Sequence, residues 1–114
     1  MHPATEPANV SESERLYAAW RIARAKWELA RYAPANLGRD LCEEENDRHC
    51  DADHGALMAY FLHPAEDLHE LARKLRTFRE EDGTGFTRAD EIVEAFENDA
   101  FDLAFKHSGR VRRA

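Results

Sequence analysis

The chain has 114 residues, a length that fits one domain able to bury roughly two thirds of its unfolded surface. With 43% hydrophobic and 34% charged residues and few Gly or Pro, it has the composition of a folded, soluble, helix-favouring protein and excludes disorder. A formal net charge of −7 repels phosphate and argues against nucleic acid as the main partner.

Residues 1–10 are polar and contain Pro3 and Pro7, which predicts a flexible lead. They hold no basic cluster followed by an apolar run, so no signal peptide is expected. The longest apolar stretch, Ala56 to Leu62, falls far short of the roughly 20 residues that span a bilayer. A cytoplasmic location with no membrane partner is therefore the expectation. There Cys42 and Cys50 stay reduced, and on one helix they lie about 12 Å apart, too far to bridge.

Ser11 with Glu14 fits a capping box and opens the first helix. Leu16, Trp20, Ala23, Trp27 and Ala30 follow as a seam, flanked by a second apolar line of Ala19, Ile22 and Leu29, and Pro34 closes the helix. Residues 11–33 carry five basic and three acidic side chains, whereas residues 40–53 carry one basic and seven acidic, so opposite charge favours pairing these segments.

A second helix is expected from about residue 39 to residue 62, with a break near residues 46–53 as the alternative. Its seam runs through Cys42, Asn46, Cys50, Asp53 and Leu57, and Gly55 weakens it. Pro64 ends this element and is expected at the first position of the next. Leu68, Leu71, Ala72, Leu75 and Phe78 form the face of a third helix, which Gly83 and Gly85 stop. Thr87 with Asp90 caps a last helix whose buried face is Ile92, Val93, Phe96, Ala100, Leu103 and Ala104. Ser108-Gly109 ends it, leaving a basic flexible tail over 108–114. The expected fold is all-α, an antiparallel bundle of three to four helices in one domain over 11–107.

Two segments suggest metal chemistry. Residues 80–91 resemble an EF-hand loop. Placing Gly85 at the sharp sixth position puts Asp82 third, Thr84 fifth and Glu91 at the bidentate twelfth. Glu80 at the first position, Thr87 at the eighth and the cation Arg88 at the ninth depart from that pattern, and the chain has no second loop to pair with it. The plainer reading is a glycine turn followed by a helix cap. The second segment is His49-Cys50-Asp51-Ala52-Asp53-His54 with Cys42 upstream. On a helix, Cys50 and His54 share a face, as do His49 and Asp53, giving half a transition-metal site. The usual Cys-x-x-Cys pair is missing. No cofactor is expected.

His69-Glu70-Leu71-Ala72-Arg73 starts like a zinc-protease helix, but Arg73 stands where the second His is needed. No nucleophile elbow or phosphate-cradling loop occurs, so a non-enzymatic protein is expected. The last helix is too acidic for a recognition helix, with six acidic and two basic groups over 87–106. The tail from Arg110 to Arg113 supports a weaker reading as a nucleic-acid accessory.

What exceeds the needs of one small core is apolar surface. Phe101 and Phe105 lie four apart and off the seam of their helix, and Trp20 and Trp27 load one face of the first helix. Aromatics of this kind anchor interfaces. These four residues are the expected contact site of a small protein-interaction or regulatory protein acting on a protein partner or on itself as a homodimer, with a metal-binding protein as the alternative.

Leu62 to Phe105 also resembles a type of short all-helical protein from alphaproteobacteria and their prophages. The shared order is Pro64-Ala65, an amphipathic helix ending in Lys74-Leu75, a loop, then Ala89-Asp90-Glu91-Ile92 through Asp99. The resemblance implies a helical fold and a bacterial or phage setting, not an activity.

Overall fold

The computed structural model describes residues 10–32 and 41–113. The flexible lead expected over residues 1–10 lies outside them except for Val10, as do Pro34 and the first residues expected in the second helix. Among the described residues the helices are α1 (Glu12–Arg31), α2 (Glu43–Leu62), α3 (Leu68–Glu80) and α4 (Ala89–Arg113), with a 3-10 turn at Gly83–Gly85. No strand occurs among the described residues, and the all-α class holds.

Local chemistry sets each boundary. Ser11 caps α1, its Oγ accepting the Glu14 N–H at 3.0 Å. α2 is continuous from Glu43, with Glu43, Glu44 and Glu45 in its first turn where the helix dipole favours acids. Gly55 sits inside it without a break. Pro64 lies in the corner before α3 rather than at its first position. Asp67 caps α3, its carboxylate accepting the Glu70 N–H at 2.8 Å. At the start of α4 the Ile92 N–H donates to the Arg88 carbonyl, so Arg88 holds the cap position and Thr87 stands one residue outside it. The helix then passes through Ser108-Gly109 to Arg113 instead of ending there.

α1 and α2 run antiparallel, as their cross-pairs show. Trp27 meets Asn46, Trp20 meets Asp53 and Tyr17 meets Tyr60. The seam of Leu16, Trp20, Ala23 and Trp27 turns inward as expected, whereas the second line of Ala19, Ile22 and Leu29 stays exposed.

The core lies where α2, α3 and α4 converge. Phe61 is its hub, with Phe78 and Phe96 both edge-on at 5.7 Å. Phe78 and Phe96 meet each other at 5.5 Å, and Phe86 closes the cluster from the turn. Edge-to-face rings of this kind add about 0.5–1.5 kcal/mol per pair beyond their buried area. The turn from α3 to α4 depends on that cluster. Asp82 takes the left-handed conformation at φ 57°, and a Cβ on Gly83 would overlap the Phe78 ring.

Candidate functional site

Half of the faces expected to be buried on α3 and α4 are open. Leu71 and Phe78 are inside, but Leu68 is 55% and Leu75 47% exposed, and Ala72 is exposed too. On α4, Ile92, Phe96 and Leu103 are inside, whereas Val93 is 40% exposed and Ala100 and Ala104 are exposed. The physical reason is placement. α1 packs against α2 and reaches only the other side of α3, through Ser11 to Glu70, Arg24 to Glu81 and the Tyr17 ring beneath Arg73. The described chain is accordingly flat, 66 × 46 × 17 Å, with a radius of gyration of 18.0 Å against about 13 Å for a compact domain of this length.

Between the two helices the open side forms a groove of about 280 Å³, walled by Leu71, Leu75, Phe78, Val93, Phe96 and Ala100, with Glu97 the charged residue at its edge. Phe101 and Phe105 lie farther along α4, 70% and 53% exposed, their rings 6.3 Å apart, with Phe105 turned about 140° around the helix from Ala100 on the groove wall. Sequence periodicity alone missed Leu68, Leu75 and Val93, because an apolar helical face looks the same whether or not another helix covers it.

Trp20 and Trp27 do not belong to this surface. Trp20 is 6% exposed, and its indole N–H donates to Asp53 Oδ1 at 3.2 Å. Trp27 is half-buried, and its indole N–H donates to Asn46 Oδ1 at 3.0 Å. Both hold α1 to α2, since a buried indole needs an acceptor and α2 supplies two. Trp20, being buried, is corrected from docking anchor to intrachain packing residue, while Trp27 stays half-buried at the open end of the same seam.

The two metal segments take other shapes. Asp53 is buried and binds Arg24, whose Nε lies 2.6 Å from Asp53 Oδ2, while Arg24 Nη2 reaches Glu81 at 2.7 Å. The hydrogen bonds that Arg24 donates to Asp53, and then to Glu81, raise the pKa of its guanidinium above the ordinary value, so the carboxylate already has its cation. Cys42 is the exposed cap residue of α2, with Sγ 3.6 Å from Glu45 Oε1. Cys50 is exposed, His49 half-buried, and the His54 ring lies on Phe86 at 5.4 Å. Over 80–91, Asp82 and Thr84 are exposed on the 3-10 turn. The Asp82 carbonyl accepts the Gly85 N–H at 3.0 Å. Glu91 is paired with Arg88 at 2.6 Å, which lowers its pKa through that hydrogen bond. Among the described residues no three His, Cys, Asp or Glu side chains gather as a metal-holding group.

One polar cluster was not foreseen. Lys74 is fully buried, donates to the His63 carbonyl, and lies 3.9 Å from Asp99 Oδ2 and 5.5 Å from the Tyr60 ring centroid. Asp99 accepts the Ala65 N–H at 3.2 Å. Glu70 accepts Ser11 Oγ at 2.6 Å and the Glu66 N–H at 2.8 Å. Burial lowers the Lys74 pKa and raises that of Asp99, so desolvation outweighs their mutual attraction. These groups bind the corner after α2 to α1, α3 and α4, a structural task that also fixes the angle of the open groove.

No described helix is long and apolar enough to cross a membrane. Comparison of the chain with protein-family models, with curated proteins and with solved structures returns no match.

Proposed function

We propose that this protein is a non-enzymatic interaction module that docks an amphipathic helix on the α3–α4 face. One observation carries the reading: an apolar groove between α3 and α4, walled by exposed Leu75 and Val93, on a flat body whose other exposed apolar residues on these helices are Leu68, Phe101 and Phe105. Exposed apolar patches of a few hundred Å² or more mark contact sites, and two parallel ridges with a furrow between them suit a helix.

The test is site-specific photocrosslinking inside cells. A photoreactive phenylalanine analogue at position 101 or 75 is expected to give discrete protein adducts, and the same analogue at exposed position 44, on the outer side of α2, is not. Equal labelling at all three positions, or none at 101 and 75, contradicts the reading.

A further inference from the structure

The two helices of the open face carry exposed residues at the same spacing. On α3 the row is Leu68, Ala72, Leu75 and Arg79, and on α4 it is Asp90, Glu94, Glu97 and Phe101. By the 3.6-residue period, the first row lies opposite the buried Glu70, Lys74 and Thr77, and the second opposite the buried Ile92, Asp99 and Leu103. Both rows therefore flank the furrow and point away from the core. Their chemistry differs. The α3 row is apolar and ends in Arg79, with Arg76 exposed beside it, whereas the α4 row is three carboxylates followed by a phenyl ring. Among the described residues, none of Arg76, Arg79, Glu94 and Glu97 makes an ion pair within the chain.

One half of the face is thus cationic and the other anionic, so it is complementary to a second copy in one orientation. α3 and α4 run antiparallel, since Lys74 lies by Asp99 and Phe78 by Phe96. Counting in opposite directions along the two helices from Lys74 and Asp99, Arg79 is level with Glu94, Arg76 with Glu97 and Ala72 with Phe101. A two-fold axis running along the furrow keeps those levels and lays α3 of each copy over α4 of the other. Arg79 then meets Glu94, Arg76 meets Glu97, and Phe101 falls on Ala72, the small residue between Leu68 and Leu75. The two Leu75 side chains close over the furrow at the axis. Each copy gives and receives the same contacts, as isologous pairing requires. An axis across the furrow would instead lay α4 on α4 and set its carboxylates against each other.

We propose that the open face is closed by a second copy of this chain, packed face to face about a two-fold axis along the α3–α4 furrow, with Arg76 and Arg79 of each copy on Glu97 and Glu94 of the other and Phe101 on Ala72. This deepens the docking reading above and rests on it.

Sedimentation velocity on the full chain from about 1 to about 100 µM tests the proposal. The expected species has twice the 13.1 kDa mass of the chain. Phe101→Ala changes an exposed residue, keeps the helical circular-dichroism spectrum, and weakens association at least about thirty-fold, as loss of a central aromatic does. Arg79→Glu and Glu94→Arg each weaken it about tenfold, because the symmetry places every change twice in the interface. Mixed in equal amounts, those two variants associate as the native chain does, since each reversed charge then meets the other. Leu29→Glu, on the exposed outer line of α1, leaves association unchanged. A dimer that Leu29→Glu dissociates, or that Phe101→Ala leaves intact, overturns the proposal, as does failure of the mixture to restore pairing. A monomer throughout, with crosslinks from position 75 to a different protein, overturns self-pairing while the docking face stands. A monomer with no crosslinks from position 75 removes both.

Discussion

The α1–α2 seam and the α2–α3–α4 core solve the same packing problem with different chemistry. At the seam the contacts are polar. Two indoles donate to Asn46 and Asp53, and Arg24 bridges Asp53 and Glu81. In the core the contacts are rings, with Phe61, Phe78, Phe86 and Phe96 packed edge-on. Polar partners at seam positions contribute less net energy than apolar ones but tolerate only one register, because a shifted helix leaves buried donors unpaired. Ring packing supplies burial without naming a unique partner. A surface of the second kind is left open on α3 and α4, whereas the α1–α2 seam sets polar partners between its helices.

Substitutions can break or sharpen that contrast. The largest effect is expected at the ring hub. Phe61→Ala should cost about 3–5 kcal/mol in chemical denaturation, since it is fully buried and touches every other ring of the cluster. Asp53→Ala should cost about 2–3 kcal/mol, leaving the Trp20 indole without its acceptor and the half-buried Arg24 with Glu81 alone. A loss no greater than that of an exposed-site control such as Glu44→Ala would remove the polar seam from the account.

Gly83→Ala should follow at about 1–3 kcal/mol, because its methyl meets the Phe78 ring, while Gly85→Ala, with open space around it, should change little. Gly55→Ala, on the exposed side of α2 with nothing near its added methyl, should stabilise by about 0.5–1 kcal/mol. Smallest at neutral pH is the titration of Lys74. Its folded pKa lies below the ordinary lysine value of 10.5, so between the two the unfolded chain holds more protons and stability rises with pH, flattening above 10.5. Urea titrations in alkaline buffers should show that rise in the native chain and lack it in Lys74→Met.

Much of the fold was legible because its signals are local. The Ser11 cap, the long second helix, the glycine turn and the inward line of Leu16, Trp20 and Trp27 each depend on residues a few positions apart. Phe101 and Phe105 were legible as exposed residues because they stand off the Phe96–Leu103 seam of their own helix. Trp20 was not readable in the same way. Its acceptor, Asp53, lies 33 residues away, and a tryptophan bound for a core looks like one bound for an interface. The exposure of Leu75 and Val93 was hidden for the same reason, since it depends on where α1 lands. Ser108-Gly109 looked like a terminator, yet a helix tolerates one glycine at a cost of about 1 kcal/mol.

The central proposal is that the open α3–α4 face docks a helix of a partner protein. Crosslinking in cells from a photoreactive phenylalanine analogue at position 75, on the groove wall, measures this most directly. The account predicts discrete protein adducts from position 75 and none from exposed position 44. Equal labelling at both positions, or none at 75, would contradict it.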